Sequence, residues 1–317
     1  MDVHLPSTTP PTVGAVNRIA ILGPGGVGGF LAAALSSGGE DVLVIAREET
    51  AAAIARDGVH VESRRLGELH GRPGTATALE QPVDALIVAT KRVGLEAALD
   101  RVRTEPPIVL PLLNGLDHIS VLRERFGSRV VAGSIRIEAY RTAPTRVVQT
   151  SAFLRIDMAS DDARMRDRVG ELAGRLERSR VPARVMESEA QAMWEKLVRL
   201  NALALTTSAY DLRVGEIRST PELRDELRAC VGEAAAVAVA DGADVRPATV
   251  MGEIEDAHGS LGTSMQRDIA AGVEPELDSI AGSVLRAAAR HGLECPTVER
   301  LAERVAARAG TPAPAAA

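Results

Sequence analysis

A chain of 317 residues is long enough for two domains, at roughly 100–200 residues per domain. Hydrophobic residues make up 45% and charged residues 25%, while aromatic residues account for only 2%. The core must therefore be built from Ala, Val, Leu and Ile, which favours packed helices and parallel strands over an aromatic-rich sandwich. With a net charge of −6 and scattered Lys and Arg, no basic field is present to hold a phosphate backbone, so nucleic acid is not an expected partner.

Residues 1–16 lack the basic and apolar regions of a signal peptide, and together with residues 310–317 they read as disordered tails. No apolar run approaches the ~20 residues that a membrane span needs. Cys230 and Cys295 have neither C-x-x-C spacing nor a neighbouring His. They are expected as reduced core thiols of a cytoplasmic protein, and no metal site is expected.

Residues 17–22 form a short apolar strand that runs into G23-P-G-G-V-G-G29 and then an Ala/Leu helix to about Ser37. A second strand at 41–46 leads to a helix near 48–57, and 59–80 has a less regular, hairpin-like pattern. Strands are expected at 83–90 and 107–113 with a helix at 92–103 between them, and further strands at 129–138, 146–149 and 153–157. A helix at 161–179 and a strand near 182–186 close this part. Near-continuous apolar strands alternating with helices predict an α/β fold whose parallel sheet is covered on both faces.

From Ser188 the pattern changes. S188-E-A-Q191 has the form of a capping box, in which Ser188 caps an amide three residues on and Gln191 reaches back. Beyond it only helices are expected, at about 189–206, 221–242, 247–257, 265–272, 277–291 and 296–309. The chain thus divides into an α/β domain at 17–187 and an all-helical domain at 188–309. The alanine-rich helices of the second could bury faces in a homodimer.

G23-P-G-G-V-G28 fits G-x-G-x-x-G between a strand and a helix. Gly23 allows the tight turn, Gly25 lets backbone approach a pyrophosphate, and Gly28 lets helix and strand pack closely. The amides of Gly26 and Val27 then belong to the helix end that faces the anion. At the tip of the second strand stands Arg47, the residue type that accommodates a 2′-phosphate, so NADP is the expected cofactor. Glu48 lies one position further, although Glu48 and Glu49 also suit the first turn of a helix.

In M193-W-E-K-L-V-R-L-N201, Lys196 sits among Trp194, Leu197, Val198 and Leu200, with no acid four residues away and Glu195 on a different face. Asn201 is five positions on, roughly 140° round an unbroken helix. That places it with Trp194, Leu197 and Leu205; only a π-bulge would return it to Lys196. The Lys196 side instead carries Arg199, Leu200, Leu203 and Thr207.

Several motifs in order resemble the ketopantoate reductase (2-dehydropantoate 2-reductase) family: G23-P-G-G-V-G-G-F30, I45-A-R47, V88-A-T-K91, L110-P-L-L-N-G-L-D-H118, W194-E-K-L197, T263-S-M-Q-R-D268 and P275-E-L-D-S-I-A-G282. The resemblance spans roughly residues 17–309. It implies a Rossmann-type domain followed by a helical one, with NADPH reducing the 2-oxo group of ketopantoate to D-pantoate in the cleft between them. It makes Lys196 the catalytic lysine. Lys91 and Asn114 then line the nicotinamide and substrate side, Ser264 binds substrate, and Glu276 interacts with substrate and catalytic machinery.

The chemistry agrees with those residue types. Charge that builds on a carbonyl oxygen during hydride transfer needs a proton donor or cation, and a lysine in a low-dielectric cleft becomes such an acid near neutral pH. Ser264 suits the carboxylate end of a substrate. Each residue also has a plainer reading: Lys91 a loop lysine, Asn114 a turn-former before Gly115, Ser264 a helix cap, Glu276 a first-turn acid after Pro275. Leu200 stands where many members of the family have asparagine, and T206-T-S208 where Asn-Pro-Leu-Thr is common. A reductase of a different 2-oxo acid or related carbonyl, or an NADPH-binding sensor without turnover, are the alternatives.

Overall fold

The computed structural model describes residues 17–315; the expected tail at 1–16 and residues 316–317 lie outside the described residues. In chain order, β1 (Arg18–Leu22) runs into α1 (Gly26–Ser37), followed by β2 (Asp41–Ile45) and α2 (Glu48–Asp57). Three strands follow: β3 (Val59–Ser63), β4 (Gly67–Gly71) and β5 (Gly74–Ala76). Then come β6 (Ala85–Val88), α3 (Leu95–Leu99), β7 (Val109–Pro111) and α4 (His118–Phe126). β8 (Ala132–Arg136), β9 (Ala139–Ala143), β10 (Arg146–Gln149), β11 (Arg155–Ala159), α5 (Arg166–Arg178) and β12 (Ala183–Val185) complete the α/β part.

The central sheet has the order β5-β2-β1-β6-β7 with every pair parallel, the 3-2-1-4-5 order of a Rossmann-type sheet. Its strands are buried on both faces. Ile19, Ile21, Ala85 and Ile87 pack with α1 residues Phe30 and Leu31 on one side. Ala20, Leu22, Leu86 and Val88 pack with Leu99, Leu122 and Phe126 of α3 and α4 on the other. That alternation is why these strands read as continuous apolar runs instead of as every second residue.

The expectation of one parallel sheet holds only for this part. β3 and β4 form an antiparallel hairpin, joined by β10 and β9 into a second sheet of order β4-β3-β10-β9. A third sheet, β12-β11-β8, contains an antiparallel pair. The β3–β4 and β9–β10 connections are too short for a crossover, so those segments fold back on each other. The helix expected at 92–103 is reduced to a 3-10 turn at Arg92–Gly94 and the short α3, because Gly94 is a poor helix residue. α4 and β9 were not among the expected elements, and the strand expected at 129–138 begins only at Ala132, after a 3-10 turn at Gly127–Arg129.

Beyond β12 the described residues form only helices: α6 (Glu189–Tyr210), α7 (Val214–Ser219), α8 (Pro221–Ala240), α9 (Pro247–Glu255) and α10 (Ser264–Ala270), then a π turn at Asp278–Gly282 leading into α11 (Ser283–Arg290), and α12 (Pro296–Ala309). α7 was likewise not expected. Ser188 caps α6 by accepting from the Gln191 amide at 3.1 Å. The other half of the expected capping box is absent: the Gln191 side chain turns outward and accepts from the Asp244 amide at 2.8 Å.

α6 packs against α8, α10 and α12 at the centre of the helical core. Trp194 is fully buried and donates its indole N–H to Asp241 at 2.7 Å. At the carboxyl end, Gly310 ends α12 in the left-handed region at φ 65°, and Arg286 donates to the Ala315 carbonyl at 3.4 Å. No described helix is long and apolar enough to cross a membrane.

Candidate active site

The turn after β1 is shaped by its glycines. Gly23 has φ +91°, and a Cβ at Gly28 would lie 2.1 Å from the Gly23 carbonyl oxygen. A Cβ at Gly26 would lie 2.2 Å from the Ala139 carbonyl, where the chain entering β9 crosses the loop. α1 has neither a side-chain cap nor an acid in its first turn. Its first amides, including those of Gly26, Val27 and Gly28, lack intrahelical acceptors and sit at the positive end of the helix dipole. Gly25 is the open glycine, with only the Ala89 carbonyl 3.9 Å from where a Cβ would be. The buried Thr90 hydroxyl, beside Gly23, has no partner among the described residues.

An open glycine, free helix amides and an unpaired hydroxyl fit the pyrophosphate of a dinucleotide. Arg47 follows β2, caps α2 with backbone only, and is exposed. Glu48 and Glu49 occupy the first turn of α2.

The other end of the cleft is built from both halves of the chain. Lys196, half-buried on α6, donates to Asn114 Oδ1 at 2.7 Å. Asn114 Nδ2 donates in turn to Glu276 Oε2 at 2.9 Å. Asn114 follows β7 and Glu276 precedes the π turn, so three separate elements meet in one relay. The loop carrying Asn114 is pressed onto that turn: Gly115 has φ +82°, and a Cβ there would lie 1.8 Å from the Ser279 carbonyl oxygen. The Leu116 amide donates to Ser283 Oγ at 3.0 Å, and Arg286 binds both Asp117 at 2.7 Å and Asp278 at 2.8 Å. Burial pushes the Lys196 amine down to about 8, opposed by the nearby Glu276 carboxylate and assisted by Arg136 and Arg199.

Lys91 and Ser264 lie on the rim. Lys91 is exposed and pairs with Asp268 of α10 at 3.0 Å, one helical turn from Ser264 and on the same face. Ser264 is exposed at the first position of α10. Its plainer reading as the cap is corrected, because Thr263 caps the helix by accepting from the Gln266 amide. Asn201 does not join the site. α6 is unbroken, and Asn201 points into the helical core, where Nδ2 lies 3.6 Å from Cys230 Sγ and Oδ1 has no described partner.

Beside Asn114 opens a cavity of about 330 Å³ whose walls include Asp117, His118, Ser279 and Arg286. Sequence reasoning did not single these out, although Asp117 and His118 belong to the motif that contains Asn114. His118 is buried, with neither ring nitrogen partnered by a described residue, and burial lowers it to about 4, so the imidazole is neutral. Cys230 and Cys295 are free and buried; burial pushes the Cys295 thiol up to about 12.

Residues 19–160 match the family model described as ketopantoate reductase PanE/ApbA, and residues 190–309 match its C-terminal counterpart. The chain belongs to the ketopantoate reductase family. It is an oxidoreductase, and the family depends on NAD(P)H. The 2-dehydropantoate 2-reductase of Mycobacterium tuberculosis is 30% identical over 305 residues, covering 93% of this chain and 98% of the relative. A solved 2-dehydropantoate 2-reductase from Geobacter metallireducens GS-15 superposes with a TM-score of 0.83 at 29% identity, covering 91% of this chain and 98% of that one. D-mandelate dehydrogenase with NADH and anilino(oxo)acetate shares the fold, with a TM-score of 0.82 at 22% identity over 92% of this chain and 98% of that one.

Proposed function

We propose that this ketopantoate reductase family member uses NADPH to reduce a small 2-oxo acid to the 2-hydroxy acid, with ketopantoate, giving D-pantoate, as the leading substrate. The observation that carries the reading is the Lys196–Asn114–Glu276 relay, whose amine titrates near 8, in a chain that also carries a glycine-lined dinucleotide cradle. In this reading residues 17–187 hold the nucleotide and residues 188–309 supply the substrate side.

Gly23, Gly25, Gly26, Val27 and Gly28 hold the pyrophosphate against the start of α1, and Arg47 takes the 2′-phosphate that distinguishes NADP from NAD. When bound, the nicotinamide supplies the hydride for the keto carbon. Lys196 gives a proton from Nζ to the keto oxygen, where negative charge would otherwise build. Asn114 accepts from Nζ and so aims the amine. Glu276 holds Asn114 in that orientation, and its charge keeps the ammonium populated at neutral pH; it also offers an acceptor to a substrate hydroxyl. Lys91 adds positive charge on the nicotinamide side of the rim, and Ser264 donates a hydroxyl to the carboxylate end of the substrate.

The direct test is ketopantoate-dependent oxidation of NADPH. A protein that binds NADPH but shows no such oxidation loses the substrate assignment. A second reading, reduction of a different 2-oxo acid, is favoured by one observation: the Lys196 side of α6 carries the partly buried Leu200 and the buried Leu203. Such a wall suits an apolar substituent. Comparing kcat/KM across keto acids of increasing apolar size, each with NADPH and with NADH, separates the two readings.

A further inference from the structure

Four arginines gather where β8, β11 and β12 meet α6, and three of them hydrogen-bond to carboxylates, although the buried Nε of Arg136 has no described partner. Arg155 donates to Asp157 at 2.8 and 3.0 Å and to Glu195 at 3.1 Å. Arg184 donates to Asp157 at 2.9 Å and to Glu195 at 2.6 Å. Arg136 donates to Glu253 and to Glu195, each at 3.1 Å.

Arg199 is different. Its nearest carboxylate is Glu253 at 3.5 Å, an oxygen that Arg136 already occupies more closely, and its guanidinium lies 5.7 Å from the centroid of the Phe153 ring. None of its five donors makes a hydrogen bond to a described residue, although its side chain is only 17% exposed. The guanidinium nitrogens are not sealed from solvent, so the unfilled donors of this mostly covered side chain stay open to an incoming anion. Its neighbourhood carries no surplus of negative charge, because Asp157, Glu195, Glu253 and Glu138 face the four arginines and Lys196.

We infer that Arg199 binds the carboxylate of the 2-oxo acid, an inference that rests on the function proposed above. Arg199 follows Lys196 by three positions, about 4.5 Å along the helix and about 60° round it, so both side chains leave α6 on one side. In a 2-oxo acid the carboxylate is bonded directly to the keto carbon. The group that grips the carboxylate must therefore stand beside the group that protonates the keto oxygen, which is the relation of Arg199 to Lys196. The planar fork of donors matches a carboxylate bidentately, and the Phe153 ring braces its face. Ser264 contributes a neutral hydroxyl to the same end of the substrate, and Arg199 supplies the opposite charge that a hydroxyl lacks. Desolvation and the Arg136 charge both press on the Arg199 cation, a pressure that an incoming anion relieves.

The test compares wild type, Arg199→Gln and Arg199→Lys with two acids, ketopantoate and phenylglyoxylate. Each is paired with an uncharged ester, ketopantoyl lactone and methyl phenylglyoxylate. Arg199→Gln is expected to lower kcat/KM for the acids about 100-fold, mainly through KM, and to leave the esters within about threefold. Arg199→Lys should recover part of the loss, and the Kd for NADPH should not move. Equal losses for acids and esters, or no loss for the acids, would overturn the inference.

If wild type reduces neither acid, the proposed function fails by itself. Binding of the unreactive carboxylate oxamate to the NADP-loaded protein, read by calorimetry, then decides the role of Arg199, as it does where an ester is not turned over. Binding by wild type that Arg199→Gln weakens about tenfold or more supports the role. Equal binding by both proteins, or binding by neither, refutes it.

Discussion

Lys196 donates a 2.7 Å hydrogen bond to Asn114, which lies 82 positions earlier in the chain. The contact ties the first long helix of the helical half to the loop after β7 in the α/β half. It therefore depends on how the two halves meet, and a small change in their docking would misaim the amine.

Replacing Lys196 by Ala is expected to lower kcat about 10²–10⁴-fold and to leave the Kd for NADPH unchanged. Arg at 196 should not restore turnover, since a guanidinium does not release its proton in the accessible range. Stopped-flow oxidation of NADPH and a fluorescence titration read the two quantities, and near-normal turnover in Lys196→Ala would remove the amine from the chemistry.

The pH profile follows from the amine at about 8. Reduction needs the protonated form, so kcat should fall as pH rises through that value, and the reverse oxidation should gain over the same interval. Glu276 raises the Lys196 value, so Glu276→Gln should move this limb to lower pH. A limb that stays in place would show that Glu276 does not act on Lys196.

Arg47→Gln should raise KM for NADPH about 10–100-fold and leave KM for NADH nearly unchanged, because only the 2′-phosphate loses a charge-assisted partner. Parallel losses with both nucleotides would place the 2′-phosphate elsewhere.

Gly115→Ala would put a methyl group 1.8 Å from the Ser279 carbonyl oxygen at a backbone φ of +82°. The expected outcome is a loss of about 1–3 kcal/mol in stability. A fall in kcat should accompany it, as the loop carrying Asn114 is lifted from the π turn. Thermal denaturation and kcat measured on the same preparation check both.

Asn201→Ala should retain kcat within about twofold and cost about 1 kcal/mol in stability, since it removes a weak sulfur contact and an unpaired buried oxygen. A large loss of activity would return Asn201 to the active site.

Much of the architecture was legible because it is local. Continuous apolar runs at β1 and β6 require burial on both faces, and the glycine spacing at 23–28 requires a turn into a helix. The face opposite Lys196 was legible for the same reason: five residues of unbroken helix carry Asn201 away. The less regular half of the α/β part was read poorly. Pairing β10 with both β3 and β9 joins segments that no local period connects, and α4 follows an Asn-Gly turn that hides its start.

Taken alone, the sequence determined the backbone periods: the parallel strands, the glycine turn, the helical second half, and a lysine on a face of α6 that Asn201 cannot share. Only the tertiary structure decided what that lysine touches. Asn114 and Glu276 reach the amine only through packing between distant segments. Helical and strand periods are properties of neighbouring residues, whereas a hydrogen bond across 82 or 162 positions exists only once two cores have docked and excluded water between them.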